Sequence, residues 1–568
     1  MENLFTADIG GKDAELLFQR LGDESTYTLD GPYASIATNG RVVEESDNVL
    51  VIVGTPLPSV SQVPKNWREA KEQLPAHDGV FSMLYWDREA NKLVIISDFM
   101  GFYPLYVKRD QGRIYFSTAT RAFEGDFDAA GWGTFITLGQ TLGNATLTAG
   151  VERVAPASLM VIDLATREME VTQYWRPEPH STVPTVDQVH ESLRSSTDQI
   201  IAAHKDDDHF VLMSGGFDSR LIACMLTRQN LSFRGVLVSH YDENLDAETR
   251  FGRAMAKKLG FSCEYRTADR DFFSSEEFLH YLFASDAETP SLYLFISQVL
   301  QFVPRGGVVW DGFIPGTLLK NAITDASPAD RIELAFQDYL KRLGTPFDGK
   351  TWKAARQLFK PEIARQFEDA FQAQWESVTS EYANDEDGIS DFHFDHRNRT
   401  RTLINPFKAF RTRAKTVTPG TTRDFVNLAR SVPEQAKRDN DFYRKLYEHY
   451  YPEAYTVPLV KQNKLVPPKH FSPSFEAFRL LNKLHGRLSE RPRLMRYLGI
   501  DPHKYRFRNS SFLDVPQLYD TPDPALNQDF LKKLQTGDVV SPAAVRLLFH
   551  WRAWRWLHEQ RLYQNFKG

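Results

Sequence analysis

The chain reads as a two-part α/β protein: an antiparallel sheet sandwich, then a parallel-sheet domain with crossover helices, then a helical C-terminal extension. Three observations carry this reading. Residues 1–170 are dense in short alternating segments parted by turn clusters such as Asp78-Gly79, Glu89-Ala-Asn91 and Asp110-Gln-Gly112. From residue 187 onward strand-like and helix-like stretches alternate, the pattern of parallel strands joined by crossover helices. Between one such strand and helix lies a Ser-Gly-Gly-x-Asp-Ser turn, Ser214–Ser219.

The sandwich strands are expected at Val49–Val53, Val80–Trp86, Lys92–Ser97, Leu105–Lys108, Arg113–Ser117 and Ser158–Asp163. The stretch 171–186 carries Pro177, Pro179 and Pro184 and reads as the interdomain linker. An amphipathic helix over Val189–Ala203 leads into the apolar run Phe210–Met213. Further strands are expected at Phe233–Ser239, Ser262–Arg266 and Gly307–Trp310, within a domain bounded at 187–470. Residues 471–568 form the extension, whose last helix, Pro542–Gln564, sets Val545, Leu548, Trp551, Trp554, Trp556 and Leu557 around its surface for packing.

Composition narrows the function classes. A chain of 568 residues calls for about two to four domains. Its 42% apolar and 25% charged residues are those of a soluble globular protein, and a net charge of -6 leaves no electrostatic footprint for nucleic acid. No apolar run reaches bilayer length, and no signal peptide is visible, so a cytoplasmic protein without a membrane or nucleic-acid partner is expected. Cys224 and Cys263 are too few for a disulfide framework or a four-ligand zinc site and read as buried structural thiols.

The Ser214–Ser219 turn carries the chemistry. Strand, glycine turn and helix aim backbone N–H groups and the positive end of a helix dipole at an anion. Gly215 and Gly216 let the backbone approach a phosphate, and Ser214 and Ser219 add hydroxyl donors. Asp218 would repel a bare phosphate, which calls for a metal ion between them. There is no Gly-Lys-Ser/Thr, so the turn is not of the Walker type. In a parallel sheet, ligands sit at the carboxyl ends of the strands. Leu212 therefore joins the candidate nucleotide cradle, as do Val238 and Ser239, which read either as adenine neighbours or as ordinary strand-end residues.

The turn resembles the pyrophosphate loop (PP-loop) of the N-type ATP pyrophosphatases. Ahead of it, Asp78–Asp87, Leu93–Tyr106 and Ile114–Thr118 look like the glutaminase-type domain of asparagine synthetases. In this order the two signatures resemble the asparagine synthetase family over roughly residues 1–470. The resemblance implies an Ntn-hydrolase-like αββα sandwich followed by an adenine-nucleotide α-hydrolase-like domain, with ATP and Mg2+ as cofactors. It puts Asp98 at a glutamine-binding position, although a single carboxylate at the end of a strand is usually a turn residue, and it puts Val53–Leu57 where the family has Asn-Gly-Glu-Ile-Tyr, of which only Gly54 remains. That chemistry needs a cysteine nucleophile at the processed N-terminus, where Met1-Glu2 stands here, so a sandwich without glutaminase activity is expected.

The same resemblance sets Asp311–Leu319 against the family's Ser-Gly-Glu-Gly-Ala-Asp-Glu. Phe313 stands at the first acidic position, and Gly316 or Thr317 at the second metal ligand. Asp311 is then the candidate second metal ligand beside Asp218 and a candidate catalytic residue, with Gly312 a nucleotide contact. Lys461, with Lys464 second, falls where the family has a catalytic lysine that stabilises developing negative charge. The basic stretch Arg397–Lys415 reads either as a solvated face or as a cationic wall near the phosphates or an acidic substrate.

The activity implied is ATP-dependent amide-bond formation through an acyl-adenylate, with the amine supplied by the substrate. This resembles the lasso-peptide cyclase, β-lactam synthetase and carbapenam synthetase branches. The first would bring a precursor peptide and its processing protease as partners. Ammonia-dependent amidation of a small metabolite or sugar acid, and a nucleotide-binding scaffold without turnover, stand as alternatives.

Overall fold

A computed structural model describes residues 4–178, 180–239, 246–267, 272, 275–288, 295–320, 336, 349–461, 464–466, 473–489, 497, 519, 522–539 and 541–559. The first domain holds twelve strands: β1 (Phe5–Ile9), β2 (Tyr27–Asp30), β3 (Ala34–Thr38), β4 (Arg41–Glu45), β5 (Asn48–Leu57), β6 (Asp78–Asp87), β7 (Lys92–Ser97), β8 (Tyr106–Asp110), β9 (Arg113–Ser117), β10 (Val151–Arg153), β11 (Ser158–Asp163) and β12 (Met169–Gln173). They form two six-stranded antiparallel sheets, ordered β10-β8-β9-β1-β3-β2 and β12-β11-β7-β6-β5-β4.

The pleat sorts side chains between layers. Phe5, Ala7 and Ile9 of β1 meet Val49, Val51 and Val53 of β5 in the core between the sheets. The opposite faces bury helices. Ala37 and Tyr106 pack on Ala14 and Phe18 of the helix Ala14–Gln19. Leu50, Ile52, Phe81 and Met83 pack on Ala70 beside the helix Trp67–Gln73. The layering is therefore helix, sheet, sheet, helix.

β12 runs to Gln173, three residues into the predicted linker. The connection closes at the helix Val186–Ala203, whose Thr185 and Gln188 form a reciprocal capping box.

A five-stranded sheet follows: β13 (His209–Leu212), β14 (Phe233–Ser239), β15 (Cys263–Thr267), β16 (Val308–Trp310) and β17 (Lys415–Val417). Its order is β15-β14-β13-β16-β17, and all its pairs are parallel. The chain leaves β13 toward β14 and β15, then returns to the other side of β13 for β16 and β17. A crevice therefore opens at the carboxyl ends of β13 and β16. A hairpin, β18 (Leu459–Lys461) and β19 (Lys464–Val466), comes later.

The last helix, described over Pro542–His558, returns to the sandwich. Trp551 and Trp554 lie 4.8 and 5.6 Å from Trp132 of the helix Ala129–Leu138. The Trp554 indole N–H donates to Thr148 Oγ1 at 3.1 Å. The extension thus packs against the first domain.

The basic stretch Arg397–Lys415 is neither a solvated face nor a wall at the phosphate turn. It spans a π-helical segment and the helix Asn405–Arg411, and it buries Arg399, Lys408 and Arg411. Lys408 Nζ bonds the Asp286 carboxylate at 2.6 Å and the Tyr106 hydroxyl at 2.8 Å. Arg121, from the sandwich, reaches the same carboxylate at 3.0 Å and the Ala284 carbonyl at 3.0 Å. Both backbone N–H groups of Thr120 and Arg121 also donate to Asp286. Burial alone would raise the Asp286 carboxyl, but Lys408 and Arg121 outweigh it and hold it at about 2.

Asp286→Ala leaves buried Arg121 without its carboxylate and Lys408 with only Glu288, at 3.5 Å, and is expected to lower stability by about 3–5 kcal/mol in urea denaturation. The carboxyl is depressed in the fold, so its contribution is present above about pH 4 and lost as pH falls toward about 2. The acid limb of the stability profile should flatten in Asp286→Asn.

Candidate active site

The predicted phosphate turn lies at the carboxyl end of β13, at the switch-point crevice. Its helix begins at Phe217, with Gly216 as extended N-cap and Asp218 in the first turn. Ser219 Oγ accepts the Ser214 N–H at 3.0 Å and lies 3.0 Å from Ser214 Oγ. Ser214 Oγ in turn accepts the Gly216 N–H at 3.1 Å. The two serines therefore brace the turn from inside. The Gly215 N–H donates to Glu248 Oε2 at 2.6 Å, so a carboxylate of this chain sits where the turn offers a donor to an anion.

Asp218 faces the helix Phe313–Leu319, which Gly312 caps. A Cβ on Gly312 would lie 2.4 Å from the Asp218 carbonyl oxygen, and one on Gly316 2.1 Å from Asp218 Oδ1. Glycine at both places lets the helix close onto the turn. Gly316, at one of the two family positions for a second metal ligand, contributes no donor and no space for one.

Lys320 Nζ bonds both Asp218 oxygens at 2.7 Å, and the Tyr443 hydroxyl donates to Oδ1 at 3.2 Å. Asp311 is half-buried just past the end of β16, with Oδ1 accepting the Phe313 N–H at 2.7 Å. Burial, and secondarily the charge of Asp218, raise its carboxyl to about 6. The two carboxylates therefore share one crevice, as the sequence reading has them. Among the described residues no group of three or more His, Cys, Asp or Glu could hold a metal by itself. Two carboxylates are enough for magnesium only when phosphates and water complete its shell, and here the Lys320 ammonium stands on Asp218 where the ion would.

Lys320 escaped the sequence reading because it sits far along the chain and carries no motif. Arg220 was missed as well, although it directly follows the Asp-Ser pair. It is fully buried; Nη1 donates to the carbonyls of Ala454 and Val457 at 3.0 and 2.9 Å, and Nη2 to those of Gly215 at 3.1 Å and Pro458. It ties the turn to the segment that leads into β18. Val460 completes the tie, donating its N–H to the Gly215 carbonyl at 2.9 Å. Lys461 and Lys464 face each other across the hairpin that starts there, and their side chains lie outside the described residues.

Leu212 ends β13 next to the turn. Val238 and Ser239 end β14, as expected, and the Ser239 hydroxyl donates to Asp246 Oδ2 at 3.1 Å. Asp246 also caps the helix Ala247–Leu259, which carries Glu248.

In the sandwich, Asp98 is structural. Its two oxygens accept the N–H groups of Met100, Phe102 and Tyr103 at 3.0, 3.1 and 2.8 Å, so none of its geometry is turned to a ligand. Gly54 persists for a backbone reason. Its φ is +86°, and a Cβ would lie 2.3 Å from the Val80 carbonyl oxygen. Both cysteines lie in the second domain, with Cys224 buried in the turn helix and its thiol pushed up to about 12 by burial. No cysteine lies in the sandwich.

Comparison with known proteins bears on the first domain. Residues 65–175 match the family model of the glutamine amidotransferase domain. Over those residues the sandwich resembles that domain. Among solved structures the chain is similar to the glutamine phosphoribosylpyrophosphate (PRPP) amidotransferase from B. subtilis complexed with ADP and GMP, at 10% identity over 46% of this chain and 80% of that one, TM-score 0.22. It is similar at the same identity and coverage to a structure described as the allosteric regulatory enzyme of purine biosynthesis, TM-score 0.21. Similarity at this level says nothing about chemistry. No curated protein matches the chain. Among the described residues no helix is long and apolar enough to cross a membrane.

Glu248 offers a direct test of the turn. Burial, partly offset by the Gly215 N–H, raises its carboxyl to about 7. A carboxyl raised in the fold binds a proton more tightly there than in the unfolded chain, so stability falls as pH rises from about 4 to about 7. Glu248→Gln keeps an acceptor for Gly215 and removes this loss. The melting temperature of the variant is expected to exceed that of the parent chain at pH 8, with the gap closing toward pH 5.

Proposed function

We propose that the protein is an ATP-dependent amide-bond-forming ligase that works without hydrolysing glutamine. The observation that carries the reading is the Ser214–Ser219 turn at the switch-point crevice of a parallel sheet, with Asp311 across from it, behind an amidotransferase-type sandwich that holds no cysteine. A cysteine-free sandwich has no thiolate to attack glutamine, so the nitrogen comes from a substrate amine or from free ammonia.

ATP is the second substrate in this reading. A substrate carboxylate oxygen attacks the α-phosphorus and pyrophosphate leaves, giving an acyl-adenylate. The amine then attacks the acyl carbon, and AMP leaves with the electron pair of the broken C–O bond. The chain's own part is positioning and charge. The N-terminal dipole of the turn helix and the Ser214 and Ser219 hydroxyls meet the phosphates, and the Lys320 ammonium stands beside Asp218 as a local counter-charge. Glu248 must give up the Gly215 N–H for a phosphate to take it, and its raised carboxyl makes that exchange easier in the protonated form. No step is routed through magnesium.

A second reading, a nucleotide-binding scaffold without turnover, is favoured by one observation: the Gly215 N–H and the Asp218 carboxylate are both already engaged by Glu248 and Lys320. Pyrophosphate release with candidate substrates separates the readings. Release that requires a peptide carboxylate supports the peptide-cyclising form of the ligase, release that requires ammonium supports amidation of a metabolite, and no release with any substrate supports the scaffold.

Asp218→Ala is expected to abolish AMP formation from labelled ATP, and retention of full activity would remove the turn from the mechanism. Incubation with glutamine is expected to yield no glutamate above a protein-free control.

A further inference from the structure

A group of arginines lies away from the crevice, around a cavity of about 640 Å³ between the domains. The sandwich contributes Arg41 at the start of β4, Gly54 and Thr55 of β5, and Tyr103. The second domain contributes Arg305, Arg411, Arg413 and Lys415, which cluster around the amino ends of β16 and β17. Parallel strands run away from this end, so the cavity and the Ser214 turn sit at opposite ends of one sheet. The cavity is therefore a place separate from the proposed active site.

Of the cations here, only Lys415 has an internal counterpart among the described residues. Lys415 pairs with Asp207 at 2.7 Å, and Asp207 also holds the His204 ring at 2.9 Å. Arg41, Arg305, Arg411 and Arg413 have no carboxylate partner among the described residues. No acidic side chain lines the cavity among those residues. Arg411 is the decisive one. It is 6% exposed, its guanidinium lies 4.2 Å from the Tyr103 ring centroid, and Nη2 reaches the Phe102 carbonyl at 3.4 Å, while the buried Nη1 has no hydrogen-bond partner. A buried donor left unmade costs free energy, and several like charges around one concavity repel. An oxyanion in the cavity, beside the Arg411 guanidinium that lines it, would relieve the repulsion. The apolar walls, Ile52 and Val80 among them, leave room for the body of an organic molecule, and the volume is that of a small-ligand site.

The geometry points to a second ligand site: the interdomain cavity binds a small organic anion by its carboxylate or phosphate group, with Arg411 as the buried anchor and Arg305 and Arg413 as rim contacts. Guanidinium groups suit both oxyanions, because their paired N–H donors match the spacing of the oxygens.

Isothermal titration calorimetry of the full chain at low ionic strength tests this, with citrate and inorganic phosphate as separate probes. Saturable binding of at least one probe is expected; tighter citrate identifies a carboxylate ligand, and tighter phosphate a phosphate ligand. The rim variant Arg305→Ala/Arg413→Ala, which alters exposed side chains, should weaken binding at least about tenfold. Arg411→Met should abolish it, and if that variant does not fold, the rim variant decides. Ser214→Ala, at the far end of the sheet, should leave probe binding unchanged. The site is overturned if neither probe saturates, if affinity survives in the rim variant, or if Ser214→Ala removes binding.

Discussion

Asp286 is the joint on which the two domains depend. Its carboxylate is fully buried, and it gathers Lys408 from the second domain and Arg121 and two backbone N–H groups from the sandwich. Burying a charge is costly unless every lone pair is met, and here four donor groups meet them. Because these donors come from both domains, the arrangement fixes how the sandwich sits on the parallel sheet. The interdomain cavity inherits its shape from that fit, since its walls come from both sides. The tryptophan-rich last helix, packed on Trp132, closes the same fit from the chain's other end.

The proposed active site is governed by the same accounting on a smaller scale. A glycine turn at a helix start exposes donors, and this chain meets them internally: the serines bond each other, Glu248 takes the Gly215 N–H, and Arg220 and Val460 hold the turn to the segment before the hairpin. Asp218 is likewise met, by Lys320. The turn is thus held in shape without a ligand. Binding an anion there exchanges one carboxylate for another negative group and does not fill an unmet site.

The patterned parts of the chain were legible. β7, β9, β11 and β14 lie where alternation or a continuous apolar run placed them, because the signal is carried by neighbouring residues. β1 to β4 and β17 were not read as strands. They are short, and β17 is buried inside a basic stretch whose composition says surface. The strand–turn–helix around Ser214–Ser219 was legible because its residues are contiguous. Asp98 was legible as a turn carboxylate at a strand end, and three backbone N–H groups hold it in that part.

The sequence by itself determined the order of the two domains, the strand–turn–helix at Ser214–Ser219, and the absence of a cysteine from the sandwich. Each is a property of local pattern or of composition. Only the tertiary structure decided what stands opposite those residues. It brought Lys320 to Asp218 across 102 positions, Lys408 to Asp286 across 122, and Arg411 to Phe102 across 309. Charge partners so far apart leave no periodicity between them, and a cation's role is set by whichever carboxylate, carbonyl or empty cavity the fold turns toward it.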